Sequence, residues 1–178
     1  MTVSTASAQS TTHLLAHAVN DWLIAKDASK TTAVVYIDLS KAFDKVRHQA
    51  LILKLHSVGV CGSALMWFAN YLQCRLQRVI TSSGSSSFVL INRGVPQGSV
   101  LGPLLFNIYV SHLPDIAVAN ASTLLLFADD KTLYSALKSI AAAAQVTTDA
   151  LSALSEALDA LGLCINSSKT SSMFILPS

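Results

Sequence analysis

The spacing of apolar positions changes several times along this chain, and each change predicts a new element. Between His13 and Lys26 the residues Leu14, Leu15, Ala18, Trp22 and Leu23 recur at intervals of three and four, the signature of one helical face. TTAVVYIDLS is β-branched and apolar up to Asp38, which predicts a buried strand ending in an acid. Val46, Ala50, Leu51, Leu53 and Leu55 predict a second helix closed at Gly59, and CGSALMWFANYLQC predicts a third. RLQRVITSS and SSFVLINRGV, joined by Gly84 among serines, predict a β-hairpin. Gly94, Pro96, Gly98, Gly102 and Pro103 then punctuate a loop that gives way to an apolar helix. TLLLFADDKTLY predicts strand, turn, strand. Leu151, Leu154, Leu158 and Leu161 line one stripe of an Ala-rich helix from Ile140 to Leu161, a core face too short for a coiled coil. LCINSSKTSSMFIL predicts a short strand pair with Lys169 at its turn.

This order of elements predicts an α+β fold, a largely antiparallel sheet backed by helices on one face. Residues 1–12, rich in Ser, Thr and Ala, predict a disordered N-terminus, and residues 13–178 form one domain. With 52% hydrophobic and 12% charged residues, the chain is no disordered tail. Its apolar runs are strand-sized and its start lacks the layout of a signal peptide, so an intracellular protein with no membrane partner is expected. Cys61, Cys74 and Cys164 are odd in number and far apart, which indicates buried thiols rather than disulfides or a zinc cluster. A net charge of +2 falls short of the basic excess of dedicated nucleic-acid binders.

The chemistry concentrates in the acids. Asp129 and Asp130 repel each other once ionised, and either open water at a hairpin tip or a divalent cation offsets that repulsion. Asp38 ends another predicted strand, where it is also placed to cap the following helix. Adjacent strands would bring all three acids to one edge of a sheet, the arrangement that two-metal phosphoryl transfer needs. Hard carboxylate oxygens suit Mg²⁺, and no His/Cys cluster invites zinc.

Four segments in order, VVYIDLSKAFDKVRH, RGVPQGSVLGPLLFNIYVSHLP, LLFADDKTLY and LGLCINSSKT, resemble the successive palm motifs of reverse transcriptases. PQGSVLGPLLFNIY is similar to the non-LTR, LINE-type retrotransposon branch. The resemblance implies a polymerase palm with a partial fingers segment over residues 13–178, the thumb being absent. It implies an RNA-directed DNA polymerase that adds deoxynucleotides to a primer 3′-hydroxyl, with two Mg²⁺ ions, or Mn²⁺ as a substitute. The implied partners are an RNA template, a DNA primer, deoxynucleoside triphosphates and the missing fingers and thumb segments of a parent polyprotein, nuclear for the parent family. Asp38, Asp129 and Asp130 match the catalytic metal ligands. Phe43 matches the bulky residue that excludes a ribose 2′-hydroxyl, and Gln97 with Gly98 the nucleotide-facing pair. Lys169 matches the lysine of the fourth motif, a proton donor to pyrophosphate or a phosphate contact. Without the resemblance, Phe43 reads as a core aromatic, Gln97 and Gly98 as a tight turn and Lys169 as a solvated charge. Asp44 reads as structural, and the arginines of the hairpin, Arg75, Arg78 and Arg93, as phosphate contacts. The rival function is that of a catalytically inactive, decayed or co-opted fragment that binds nucleic acid at most.

Overall fold

The structure, a computed structural model, describes residues 11–127 and 130–177. In chain order α1 spans Thr11–Asp27 and β1 Thr31–Ile37, followed by a 3-10 turn at Phe43–Lys45, α2 at His48–Ser57 and α3 at Gly62–Leu72. Four short strands come next, β2 Arg75–Gln77, β3 Ile80–Thr81, β4 Gly84–Ser85 and β5 Val89–Ile91. Then follow α4 Leu101–Tyr109, α5 Leu113–Ala119, β6 Thr123–Phe127, β7 Asp130–Leu137, α6 Ile140–Leu161 and β8 Ser171–Ile175. Helix α1 begins two residues inside the segment expected to be disordered, and residues 1–10 of that segment lie outside the described residues. The chain divides into two units, one of residues 1–40, 111–160 and 164–178, the other of residues 41–110 and 161–163.

In the first unit β6, β7, β1 and β8 form, in that order, a sheet whose neighbours are all antiparallel. Successive strand residues point to opposite faces, so the neighbours Tyr134 and Ser135 report what covers each one. Tyr134 donates a 2.6 Å hydrogen bond to the Asp21 carboxylate of α1 and meets the Trp22 ring edge-on. Ser135 bonds instead to the Thr147 hydroxyl of α6. Helices therefore stand on both faces, where the sequence suggested one. A β1 of β-branched and apolar residues, with six of its seven positions buried, is what a strand covered on both sides requires.

Helices α1 and α6 turn faces slightly different from the expected ones. Helix α1 buries Ala18 and Ala25 and exposes Leu15 and Leu23. Helix α6 buries Ala143, Thr147, Ala150, Leu154 and Leu158, with small residues where the Ser135 hydroxyl approaches it. The last predicted strand pair does not form: Ile165 makes a bridge to Leu39, while β8 pairs with β1.

In the second unit α2 packs against α3 and α4, burying Val46, Leu51, Leu55, Leu72, Leu105, Phe106 and Tyr109. Tyr109 donates a 2.6 Å hydrogen bond to the Leu161 carbonyl. The hairpin is present as two ladders, Arg75↔Ile91 to Gln77↔Val89 and Ile80↔Ser85 to Thr81↔Gly84. The second ladder is one residue out of step with the first, which places a bulge on the returning strand. All three cysteines are exposed, against expectation: Cys61 stands at the N-cap position of α3, Cys74 follows that helix at φ 53°, and Cys164 sits in a loop. Among the described residues no helix is long and apolar enough to cross a membrane.

Packing makes two of these features testable. Gly94 has φ +91°, and a Cβ there would lie 3.0 Å from Asp44 Cα and 3.1 Å from the Phe43 carbonyl oxygen, both backbone atoms. Gly94→Ala should therefore cost about 1–3 kcal/mol, read from the urea unfolding midpoint. The Tyr134 hydroxyl is pushed far above its ordinary pKa of 10, first by burial and then by the Asp21 carboxylate. A raised folded pKa holds its stabilisation below the unfolded value and loses it above. Unfolding free energy should thus carry no Tyr134 contribution to its slope below about pH 9, fall above about pH 10, and lose that component of the fall in Tyr134→Phe.

Candidate active site

Antiparallel pairing decides which acids meet. The β1–β7 ladder runs from Thr31↔Leu137 to Ile37↔Lys131, so Asp38 leaves β1 at the end of the sheet where Asp130 begins β7. The period of two puts Asp130 on the sheet face of Thr132 and Tyr134, and Asp38, one step past Ile37, continues the row of Val34 and Tyr36 on that same face. The β6–β7 ladder closes at Phe127↔Asp130. Asp129, the expected second metal ligand, lies outside the described residues. Lys131, 2% exposed, belongs to the opposite face.

The main chain of Asp38 is held from both sides. Its N–H donates to the Thr170 hydroxyl over 3.4 Å, and its carbonyl accepts from Asn166 N–H at 2.8 Å. Asn166 also organises the next turn, its carbonyl accepting from the N–H groups of Lys169 (3.1 Å) and Thr170 (2.9 Å). Lys169 is therefore exposed on a turn fastened to Asp38, just before β8. Asn166 and Thr170 are positioning residues that sequence reading passed over. The local signal was an Asn opening a Ser/Thr-rich turn, but its partner lies 128 positions earlier.

Asp38 is half-buried and Asp130 exposed, and among the described residues neither carboxylate has a hydrogen bond or ion pair. Two such oxygen donors at one sheet end are the donor set a hard divalent cation takes. Among the described residues no three His, Cys, Asp or Glu side chains gather as a metal cluster. The donor chemistry of Asp38 and Asp130 fits a metal of this class, and Asp129 is the adjoining acid in sequence.

Phe43, Gln97 and Gly98 belong to the second unit. Phe43 sits half-buried in the 3-10 turn and stacks on the buried Phe106, with ring centroids 4.8 Å apart. Its carbonyl accepts from Val95 N–H at 2.9 Å, which ties this turn to the loop before α4. In that loop the Gln97 amide donates a 3.0 Å hydrogen bond to Asp44, giving Asp44 the structural part expected of it. Gly98 takes φ +77° with open space where a Cβ would stand. Of the basic cluster after Phe43, His48 Nε2 donates to the Gly94 carbonyl at 2.7 Å and Arg47 Nε to the Leu161 carbonyl at 3.3 Å. Both are engaged inside the unit.

Comparison with known proteins supplies the family. The family model "Reverse transcriptase (RNA-dependent DNA polymerase)" matches residues 3–174. The probable RNA-directed DNA polymerase from transposon X-element of Drosophila melanogaster is 34% identical over 122 residues, 67% of this chain and 13% of that protein. The RNA-directed DNA polymerase from mobile element jockey, also of Drosophila melanogaster, is 31% identical over 156 residues, 85% of this chain and 17% of that protein. The chain thus spans under a fifth of these curated relatives. Among solved structures, apo telomerase from Candida tropicalis superposes with a TM-score of 0.69 at 16% identity, covering 94% of this chain and 36% of that one, a likeness of fold. With the family model spanning nearly all its residues, the chain belongs to the reverse transcriptase family, alongside the polymerases of mobile elements.

Proposed function

We propose that this chain is the palm of an RNA-directed DNA polymerase, adding deoxynucleotides to a DNA primer 3′-hydroxyl opposite an RNA template. The observation that carries the proposal is the juxtaposition of Asp38 and Asp130 on one face at one end of an antiparallel sheet, in a chain of this family. Enzymes of the family use divalent metal ions, and in our reading two Mg²⁺ ions bind to Asp38, Asp129 and Asp130. When bound, such ions activate the attacking hydroxyl and neutralise charge on the leaving pyrophosphate. Asn166 and Thr170 hold the Asp38 backbone so that its carboxylate needs little reorganisation. Lys169, exposed beside them, presents a positive charge and a proton to pyrophosphate. The Phe43 ring, fixed by Phe106, limits the room at a nucleotide sugar. Gln97 spends one amide proton on Asp44, which aims the rest of its amide and the Gly98 backbone.

Such catalysis works by positioning, so triphosphate and primer must be gripped as well as polarised. Primer extension on an RNA template, with Mg²⁺ and deoxynucleotides, tests the proposal. Residues 1–178 alone should give no measurable extension, and the same residues joined to the flanking segments of the jockey polymerase should extend. Asp38→Asn in the joined protein should lower kcat on the order of 10²–10³-fold. Full activity of that variant refutes the metal-site assignment.

In the same joined protein Phe43→Val should raise ribonucleotide incorporation relative to deoxynucleotide. An unchanged ratio, measured with matched nucleotide pairs, returns Phe43 to a packing role.

A further inference from the structure

The small net charge of the chain conceals a strong segregation. The second unit holds seven lysines and arginines, Lys41, Lys45, Lys54, Arg47, Arg75, Arg78 and Arg93, and a single acid, Asp44, a formal charge of +6. That one acid already accepts a hydrogen bond from Gln97. The remaining five lysines and nine acids fall in the first unit, at −4. A body with one acid among 73 residues has little to keep a polyanion away and much to attract it.

On this basic unit the exposed aromatics are arranged with arginines. Trp67 and Tyr71 stand four residues apart on one stripe of α3, and Arg75 opens β2 three residues past the end of that helix. The Trp67 and Tyr71 rings lie 10° from parallel with centroids 5.5 Å apart, and the Arg75 guanidinium covers the Tyr71 ring at 5.3 Å. Arg78 covers the Phe88 ring at 4.8 Å across the hairpin. These rings are not core: Trp67 is 54% and Phe88 59% exposed. A guanidinium stacked by its face keeps N–H donors along its edge, the part that pairs with phosphate oxygens. Flat rings beside such edges offer what a single strand presents, bases to stack and phosphates to neutralise.

We infer that the Trp67–Tyr71–Arg75 stripe, with the Arg78–Phe88 pair on the adjoining hairpin, is a binding surface for a single strand of nucleic acid. The occupant is an unpaired strand, because duplex bases are stacked on one another and leave no face for Trp67. Nothing in this inference depends on the acids at the sheet end.

The test uses the 178-residue chain and fluorescein-labelled 20-mers of single-stranded RNA, single-stranded DNA and duplex, read by anisotropy. Either single strand should bind more tightly than the duplex, and the RNA and DNA arms decide which sugar is preferred. Trp67→Ala should raise Kd by about tenfold, as for the removal of one base stack. Arg75→Ala with Arg78→Ala should raise Kd and flatten the slope of log Kd against log salt by ~0.7 for each phosphate no longer neutralised. Lys138→Ala, exposed in the first unit, should change neither. Binding should quench the fluorescence of Trp67, and the quench should vanish in Trp67→Phe. Unaltered affinity in the Trp67 and arginine variants overturns the inference, as does equal affinity for duplex. A shift in self-association without a change in strand binding also overturns it, marking the surface as an interface between proteins. Extension activity reports separately on the catalytic proposal: binding through the stripe with no extension in the joined protein sinks that proposal alone.

Discussion

The register between β1 and β7 is the constraint on which the rest of the acid site depends. Strand side chains alternate with a period of two, so a slip of one residue would carry Asp130 to the face that now buries Lys131. The register is pinned away from the acids. Tyr134 is committed to Asp21 on one face and Ser135 to Thr147 on the other, and exchanging them would leave a buried phenol and a buried hydroxyl without these partners. Polar groups in the middle of the ladder therefore fix where the carboxylates emerge.

The end of the sheet supplies a second condition. Deep in the strands, two carboxylates on one face would suffer repulsion undiminished by water. Past Ile37 the ladder stops, Asp130 is exposed and Asp38 half-buried. The acids sit where water tolerates them in the absence of a cation, and yet where backbone pairing still orders them. Asn166 and Thr170 continue that order by one residue beyond the strand, taking over both backbone groups of Asp38 after β7 and β8 have let go.

Most of this architecture is legible in the sequence because periodicity is local. The helices other than α5, the two hairpins and both strand-end acids follow from spacing within a dozen residues. The misses share a different cause. Which side of α1 is buried depends on the sheet it meets, so Leu15 and Leu23 read as inward although Ala25 takes that place. Ile165 and β8 can be foreseen as extended, but their partner lies more than a hundred residues earlier. Cysteine composition suggests burial, while burial is set by position, and each cysteine stands outside the regular elements. Within the candidate site, Asp44 with Gln97 and Asp38 with Asn166 are long-range pairs that no local pattern contains.

Charge shows the same difference between a sum and its distribution. A net +2 argues against a nucleic-acid binder only while the charges are taken as evenly spread. Carboxylates that serve phosphoryl transfer repel the polyanion they act upon, and over the Debye length of about 8 Å at physiological salt that repulsion is not screened away. On the function proposed above, such acids call for cations of two kinds, divalent ions at the carboxylates and fixed basic groups elsewhere along the same chain. Residues 45–114 carry six lysines and arginines and no acid at all. The near-neutral total is then no sign of indifference to nucleic acid. It is what results when an acidic sheet end and a basic, aromatic surface are encoded in one short sequence.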